Sequence, residues 1–544
     1  MTLDGFLAAF ALAAAIYAVI PSVHRLRATL ALWPQALLAF VSLSLVLYLE
    51  YFRYLGQPCW LSSQKLCQII TLQQADQPQE AKDFAFLVVL VWAVIAVAIY
   101  RTAKPGPTAL APMRRLVDDL NYERRYAELI GLIEPHLNFI AKASRRGLPV
   151  QRLSDQLEIW RQRGTEAGEW MALLRREEPK ADTGWATWRR ALPVLGRLGA
   201  CVPGLRKAEE AAGDIIRVLM SSPGLLNFVV GMRPYFGLSL LKSGAQRSSD
   251  YCYSYLTKLI EEPGSILYYE IEHNQNLSKG GRYALLARNR ILHYLFSDAR
   301  RAETLGVWKP IGDHTLTILR GGRDYLARLN RPPHQFDVEC LKDPVWVATS
   351  FFEIMVHEAA HQGIRWHMWL YYMPEIVKLL VENYNESSDV DPDDEFPTFG
   401  CRLIYEIFDG MGEWVGMIRD LPKDSHHRQV QCGLNGDNGN IPKSAALAIG
   451  RALVPIVMSD SLNHRFAQTM VEVVVRDIRD LYPEGETQLM RAALVEAVAN
   501  GGSSWTGSAF PRRLSVLLRQ IDPLLVGDVE DLTAAIREAA LNAR

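Results

Sequence analysis

The stretch "DPVWVATSFFEIMVHEAAHQG", residues 343–363, decides how this chain is read. Asp343 followed by Pro344 is a strong helix start, an acceptor at the N-cap and a ring-locked φ at the first helical position. Gly363 is a natural stop, so the sequence predicts one helix of about five turns between them. Placed on a helical wheel, Val345, Trp346, Val347, Phe351, Phe352, Ile354, Met355 and Val356 cover almost the whole circumference. A helix that is apolar on nearly every side is a buried one. One narrow polar stripe interrupts it: Ser350, Glu353, His357 and His361. His357 and His361 stand one turn apart on that stripe, and two imidazoles so placed can close on one Zn²⁺ at roughly 2.0–2.1 Å each. Between them Glu358 completes the pattern H-E-x-x-H. It lies far enough round the helix to take a proton from a zinc-activated water without being a ligand. The competing view is a core helix with two satisfied histidines.

A catalytic zinc takes a third protein ligand and keeps one open position. Two sources compete for that role. His367 has the spacing of the longer motif H-E-x-x-H-x-x-G-x-x-H, but Ile364 occupies the glycine position and Gly363 comes one place early. The other source is "GCRLIYEIFDGMGEWVGMIRDL", residues 400–421, a predicted helix with Glu406, Asp409 and Glu413 on one face. Its opposite face carries Ile404, Ile407, Phe408, Met411, Val415 and Ile418, which an ordinary surface helix would also show.

Here the chain resembles the thermolysin-like zinc peptidases, the gluzincins, over residues 343–420. The run Asp409-Gly410-Met411-Gly412-Glu413-Trp414 is similar to their N-E-G-x-A-E-Y pattern downstream of H-E-x-x-H. The resemblance implies a zincin-like α+β domain, assigned to residues 246–544, and hydrolysis of a protein or peptide substrate. It implies Zn²⁺ held by His357, His361 and Asp409, Glu358 as general base, and Glu413 orienting an imidazole N–H. Asp replaces the usual Glu at the ligand position. In a different register Glu413 is the ligand.

Toward the N-terminus, three apolar runs occupy residues 3–20, 30–48 and 84–100. Each approaches the roughly 20 residues needed to cross a hydrocarbon core of about 30 Å. Trp33, Tyr48, Tyr51, Trp60 and Tyr100 lie near their ends, where interfacial aromatics belong. The sequence thus predicts a three-helix transmembrane region within residues 1–105, with the lipid bilayer as partner. The first run has Asp4 and no basic residue before it, unlike a cleaved signal peptide. Arg25, Arg27, Arg101, Lys104, Arg114 and Arg115 fall on one side, and Arg53, Lys65 and Lys82 fall among acids on the other. The positive-inside bias places the N-terminus outside an inner cell membrane and the chain beyond Arg101 in the cytoplasm. Cys59 and Cys67 share the outward loop, where they either pair or remain thiols. Cys201, Cys252, Cys340, Cys401 and Cys432 show no C-x-x-C spacing and read as buried inert thiols.

Residues 106–245 read as a helical linker or adaptor after the Pro/Gly-rich break "AKPGPTALAP" at 103–112. Residues 225–241, "LLNFVVGMRPYFGLSLL", are apolar, but Arg233 and Pro234 disfavour crossing, leaving a membrane-facing segment or plain core. Two strands are expected, "SILYYEIEHN" at 265–274 and "HTLTILR" at 314–320. The acids of "ESSDVDPDDEF", 386–396, have Pro392 where a calcium loop needs glycine and read as a solvated lid. With 544 residues, 49% hydrophobic and 22% charged, the chain can bury a large core. Its net charge of −1 gives no pull toward nucleic acid, and none is expected as a partner. The expected class is mainly α, a membrane-anchored zinc peptidase. The alternative is a non-enzymatic membrane effector, sensor or channel with a structural or degenerate zinc site. That alternative requires homo-oligomers, because three spans make no pore.

Overall fold

The structure is a computed structural model and describes residues 32–51, 78–102, 106, 109–146, 205–243, 248–274, 281–333, 336–365, 368–385, 390–391, 393–431, 433, 439–503, 507 and 509–542. The protein is mainly α-helical, and among the described residues no β-strand forms. The described residues fall into two compact units, divided between Leu225 and Leu226, with Leu226–Leu241 in the second unit and Lys242–Ala245 in the first.

In the first unit, helices Leu32–Tyr51 and Pro78–Thr102 pack side by side, with Val46 buried against Val88 and Val89. Their other faces are apolar and exposed: Phe40 is 69% and Val94 63% accessible, and Leu37, Leu90 and Val97 are exposed too. The run at 3–20 and the pair Cys59 and Cys67 lie outside the described residues. Farther along, helices Leu110–Tyr122, Leu137–Arg146 and Leu205–Ser221 share a core of Met113, Val117, Ile140, Ile215 and Leu219. Arg114 pairs with Asp214 at 2.5 Å across it.

The second unit is built around the motif helix, Pro344–His361. Its boundaries are those the caps dictate. The Asp343 carboxylate accepts the backbone N–H of Val345 at 2.9 Å and of Trp346 at 3.0 Å. Gly363 ends the helix with φ +71°, a region glycine enters at no steric cost. Helices Ser248–Glu261, Ala299–Leu305, Trp308–Gly321 and Phe399–Gly416 pack around it. Fifteen of its residues from Pro344 to Ala360 are buried, as the nearly continuous apolar circumference requires.

Both expected strands are helices. Residues 265–274 contain the helix Ile266–Glu272, which buries Leu267, Tyr268 and Ile271 at helical rather than alternating spacing. Residues 314–320 lie within the helix Trp308–Gly321, which buries Ile311, Thr315 and Leu319, each one turn from the next. Aromatic and β-branched residues fit a half-buried surface of either kind, and here the tertiary contacts choose the helix. The α+β expectation is therefore corrected over the described residues. The apolar segment 225–241 is core: Phe236, Leu238 and Leu240 are buried, and the Tyr255 hydroxyl donates to the Pro234 carbonyl at 2.7 Å. Cys252, Cys340 and Cys401 are buried thiols outside any disulfide, as expected, whereas Cys201 and Cys432 lie outside the described residues.

Among the described residues one helix, Ile441–Met458, is long and apolar enough to cross a membrane, and 78% of it is buried inside the protein. It is a core helix, packed on Gln488–Ala499, Phe399–Gly416 and Tyr372–Glu382. At Gly450 a neighbouring backbone comes close: a Cβ there would stand 2.3 Å from the Ala497 carbonyl oxygen and 2.7 Å from the Gly502 nitrogen. Both are backbone atoms, so a methyl cannot be absorbed by a side-chain rotation. Gly450→Ala is expected to cost about 3 kcal/mol, the upper part of the overpacking range. An unchanged midpoint in chemical denaturation would show that the two backbones do not meet this closely.

Candidate metal centre

The C-terminal half of the motif helix meets three consecutive residues, Gly281, Arg282 and Tyr283. The His357 Nδ1 lies 2.9 Å from the Gly281 carbonyl, which can only accept, so Nδ1 carries the proton. Burial lowers the pKa of His357, the largest influence on it, and favours the neutral ring. The bare lone pair is then on Nε2, and that atom is buried without a hydrogen-bond partner. The Tyr283 hydroxyl donates to Glu353, and its ring meets the His357 ring edge-on at 5.4 Å. Arg282 Nη2 donates to Glu358 at 2.6 Å, and Gln362 adds a second donor to the same carboxylate at 3.0 Å. Gly281 has φ +72°, which explains a glycine at the turn of this strap.

Three donor groups converge: Glu353, His357 and Glu413 each offer an atom within 4.8 Å of the others. Glu413 comes from the helix Phe399–Gly416, capped by Thr398 accepting the Cys401 N–H at 3.2 Å. Its Oε2 stands 3.8 Å from His357 Nε2, too far for a hydrogen bond and close to the spacing of two ligands on one ion. Desolvation raises the pKa of Glu353 to about 7, with Glu413 and Asp409 adding to it. The pKa of Glu413 is raised by desolvation and then by Asp409. The orphaned Nε2 and the N,O,O donor set fit a divalent metal such as zinc.

The structure thus brings together part of the expected set. His357 and Glu413 face each other, and Asp409 lines the same cavity of about 420 Å³. His361 is one turn beyond His357, with its Nδ1 2.9 Å from the His357 carbonyl, and is not one of the three convergent groups. Glu358 is not on the cavity wall; its side chain is 1% exposed and ion-paired to Arg282. Glu406 pairs with Arg402 at 2.7 Å. His367 lies outside the described residues, as do 386–389 and Pro392 of the acidic run. Of that run, Asp391 caps a turn through the Asp393 N–H at 2.9 Å, and Phe396 packs on Tyr405.

Three residues of the centre were not singled out as ligands or partners in the sequence. Glu353 had a signal, since it precedes His357 by one turn on the polar stripe. Tyr283 had none. Asp477, on the cavity wall, sits in "VVVRDIRD" on helix His464–Asp480 and reads as an ordinary surface acid. Burial raises its pKa to about 8, with Asp409 and Asp480 adding to the shift. Comparison with protein-family models, with curated proteins and with solved structures finds no match for this chain.

Proposed function

We infer that this protein is a membrane-anchored, metal-dependent hydrolase of peptide bonds, with zinc held by Glu353, His357 and Glu413. The observation that carries it is the buried, partnerless Nε2 of His357 aimed at two carboxylates while Nδ1 is tied to a backbone carbonyl. That is how a histidine is prepared as a ligand: one nitrogen fixed by an outer partner and the other left bare. The peptide substrate follows from the gluzincin resemblance of residues 343–420.

Zinc bound there supplies a Lewis acid for a carbonyl oxygen and acidifies water toward a pKa of about 7. The chain provides the rest. Glu353 is held in place by Tyr283, and His357 by Gly281. Asp409 lies one turn before Glu413 on the same helix and on the same cavity wall, which places it to accept a proton from water. Glu358, the base implied by the resemblance, is engaged by Arg282 and Gln362 and can act only if that strap moves.

Membrane anchoring is supported by the exposed apolar faces of Leu32–Tyr51 and Pro78–Thr102, which leave leucine, valine and phenylalanine outward. With the charge bias of the flanking segments, the metal-bearing unit belongs on the cytoplasmic side of the inner membrane.

The test is hydrolysis of a mixed peptide library by detergent-purified protein loaded with zinc, followed by mass spectrometry, with chelator and readdition of zinc as controls. Chelator-sensitive cleavage is expected. A specific observation favours a second reading, a structural metal in a non-enzymatic effector: the H-E-x-x-H glutamate is neutralised by an arginine. One zinc per chain with no cleavage of any peptide would put that second function first.

A further inference from the structure

The cavity beside the candidate metal centre is larger and more acidic than one ion requires. Its volume, about 420 Å³, falls in the range of roughly 300–1,000 Å³ that accommodates organic guests. An ion with a water or two fills only a fraction of it, a water occupying about 30 Å³. Asp409 and Glu413 line it from one helix, Asp477 and Asp480 from another, and Asp420 from the segment between. Arg419 is the one basic side chain on its wall.

Two observations single out Asp477 among these acids. Asp477 Oδ2 is buried and has no hydrogen-bond partner. An unpaired buried acceptor bears the full cost of desolvation until something donates to it. The Asp477 carboxylate also lies directly against the neighbouring helix: a Cβ on Gly412 would stand 2.6 Å from Oδ2. Gly412 precedes the proposed ligand Glu413 and, like Asp477, lines the cavity, so the Asp477 carboxylate stands on the cavity wall next to the centre.

The shape of the acidic wall decides which cation fits. Among the described residues, only Glu353, His357 and Glu413 bring donor atoms within 4.8 Å of one another. Asp409, Asp477 and Asp480 share a wall without converging on a point. A second bare ion needs convergence. A guanidinium does not, because it presents five N–H donors in a planar fork and can reach several separated carboxylates at once.

We propose that this cavity is a specificity pocket for the arginine side chain of a peptide, with Asp477 and Asp480 receiving the guanidinium beside the scissile bond. The guanidinium site stands on the cavity walls alone, and its place beside a scissile bond rests on the hydrolase function proposed above.

The experiment measures binding, not turnover. The full chain in detergent is titrated with a fluorescent peptide carrying one central arginine, and with the same peptide carrying citrulline, its neutral near-isostere, by anisotropy. The arginine peptide is expected to bind at least about tenfold more tightly, with the difference shrinking in high salt. Asp477→Asn and Asp480→Asn should each erode that ratio about threefold or more and leave the citrulline peptide unchanged. Equal affinity of the two peptides, or no binding of either, overturns the pocket on the wild-type protein alone, so a variant that fails to fold does not blunt the test. Arginine preference that survives the Asp477→Asn, Asp480→Asn double variant also overturns it. Zinc measured in the same samples separates the two claims. Arginine preference without zinc supports the pocket and removes the hydrolase, whereas zinc without arginine preference does the reverse.

Discussion

His357→Ala is expected to strip the protein of its metal, from about one zinc per chain to less than a tenth, by elemental analysis after dialysis. The effect should be this large because His357 is the only nitrogen donor of the three convergent groups, and two carboxylates alone hold zinc weakly. Glu413→Gln should lose most of the metal as well. Glu358→Gln should keep it, because Glu358 is turned to Arg282 and does not line the cavity. The informative comparison is His361→Ala. If the ion rests on Glu353, His357 and Glu413, this variant retains zinc. If it rests on the two histidines, as H-E-x-x-H spacing alone suggests, zinc is lost and Glu353→Gln becomes the silent change. Near-full zinc in His357→Ala would sink both arrangements.

The contrast between those ligand sets shows what the sequence carried. Asp343-Pro344 and Gly363 mark the ends of the motif helix because caps are local chemistry, readable residue by residue. The polar stripe was legible for the same reason, since helical periodicity alone puts Glu353, His357 and His361 in one row. Which two of the three share an ion depends on where a distant strap touches the row. Gly281 takes the Nδ1 of His357, Arg282 takes Glu358 and Tyr283 takes Glu353, across separations of about seventy residues. Nothing in "GGRYA" announces those contacts. Asp477 was hidden for a related reason: it is one acid on an amphipathic helix, and only the packing of that helix on Gly412 turns it inward. The misread strands have a different cause. In 265–274 and 314–320, β-branched and aromatic residues outweighed a spacing of buried positions that was already helical.

The same crowding of acids predicts an unusual dependence of stability on pH. Carboxyls that ordinarily titrate at 4.5 and 3.8 are pushed up to about 7 in Glu353 and about 8 in Asp477 by burial, reinforced by neighbouring acids. A raised carboxyl pKa means that the folded protein holds a proton the unfolded chain has already shed. The stability it contributes is complete below the ordinary values and is lost as pH rises through the folded ones. His357 and His314, lowered from 6.5, act oppositely, but only below that value, where unfolded histidines gain protons. Between about pH 6.5 and 8.5, therefore, the acids set the slope, and metal-free protein should lose about 2 kcal/mol, chiefly through Asp477. Asp477→Asn should flatten the curve. Zinc should oppose it, because metal displaces the proton from Glu353 and binds more tightly as pH rises. Thermal melts with chelator and with zinc, at both pH values, decide the matter. Chelated protein that grows more stable toward pH 8.5 would show that these carboxyls are not crowded together, and the centre would have no demand for a cation.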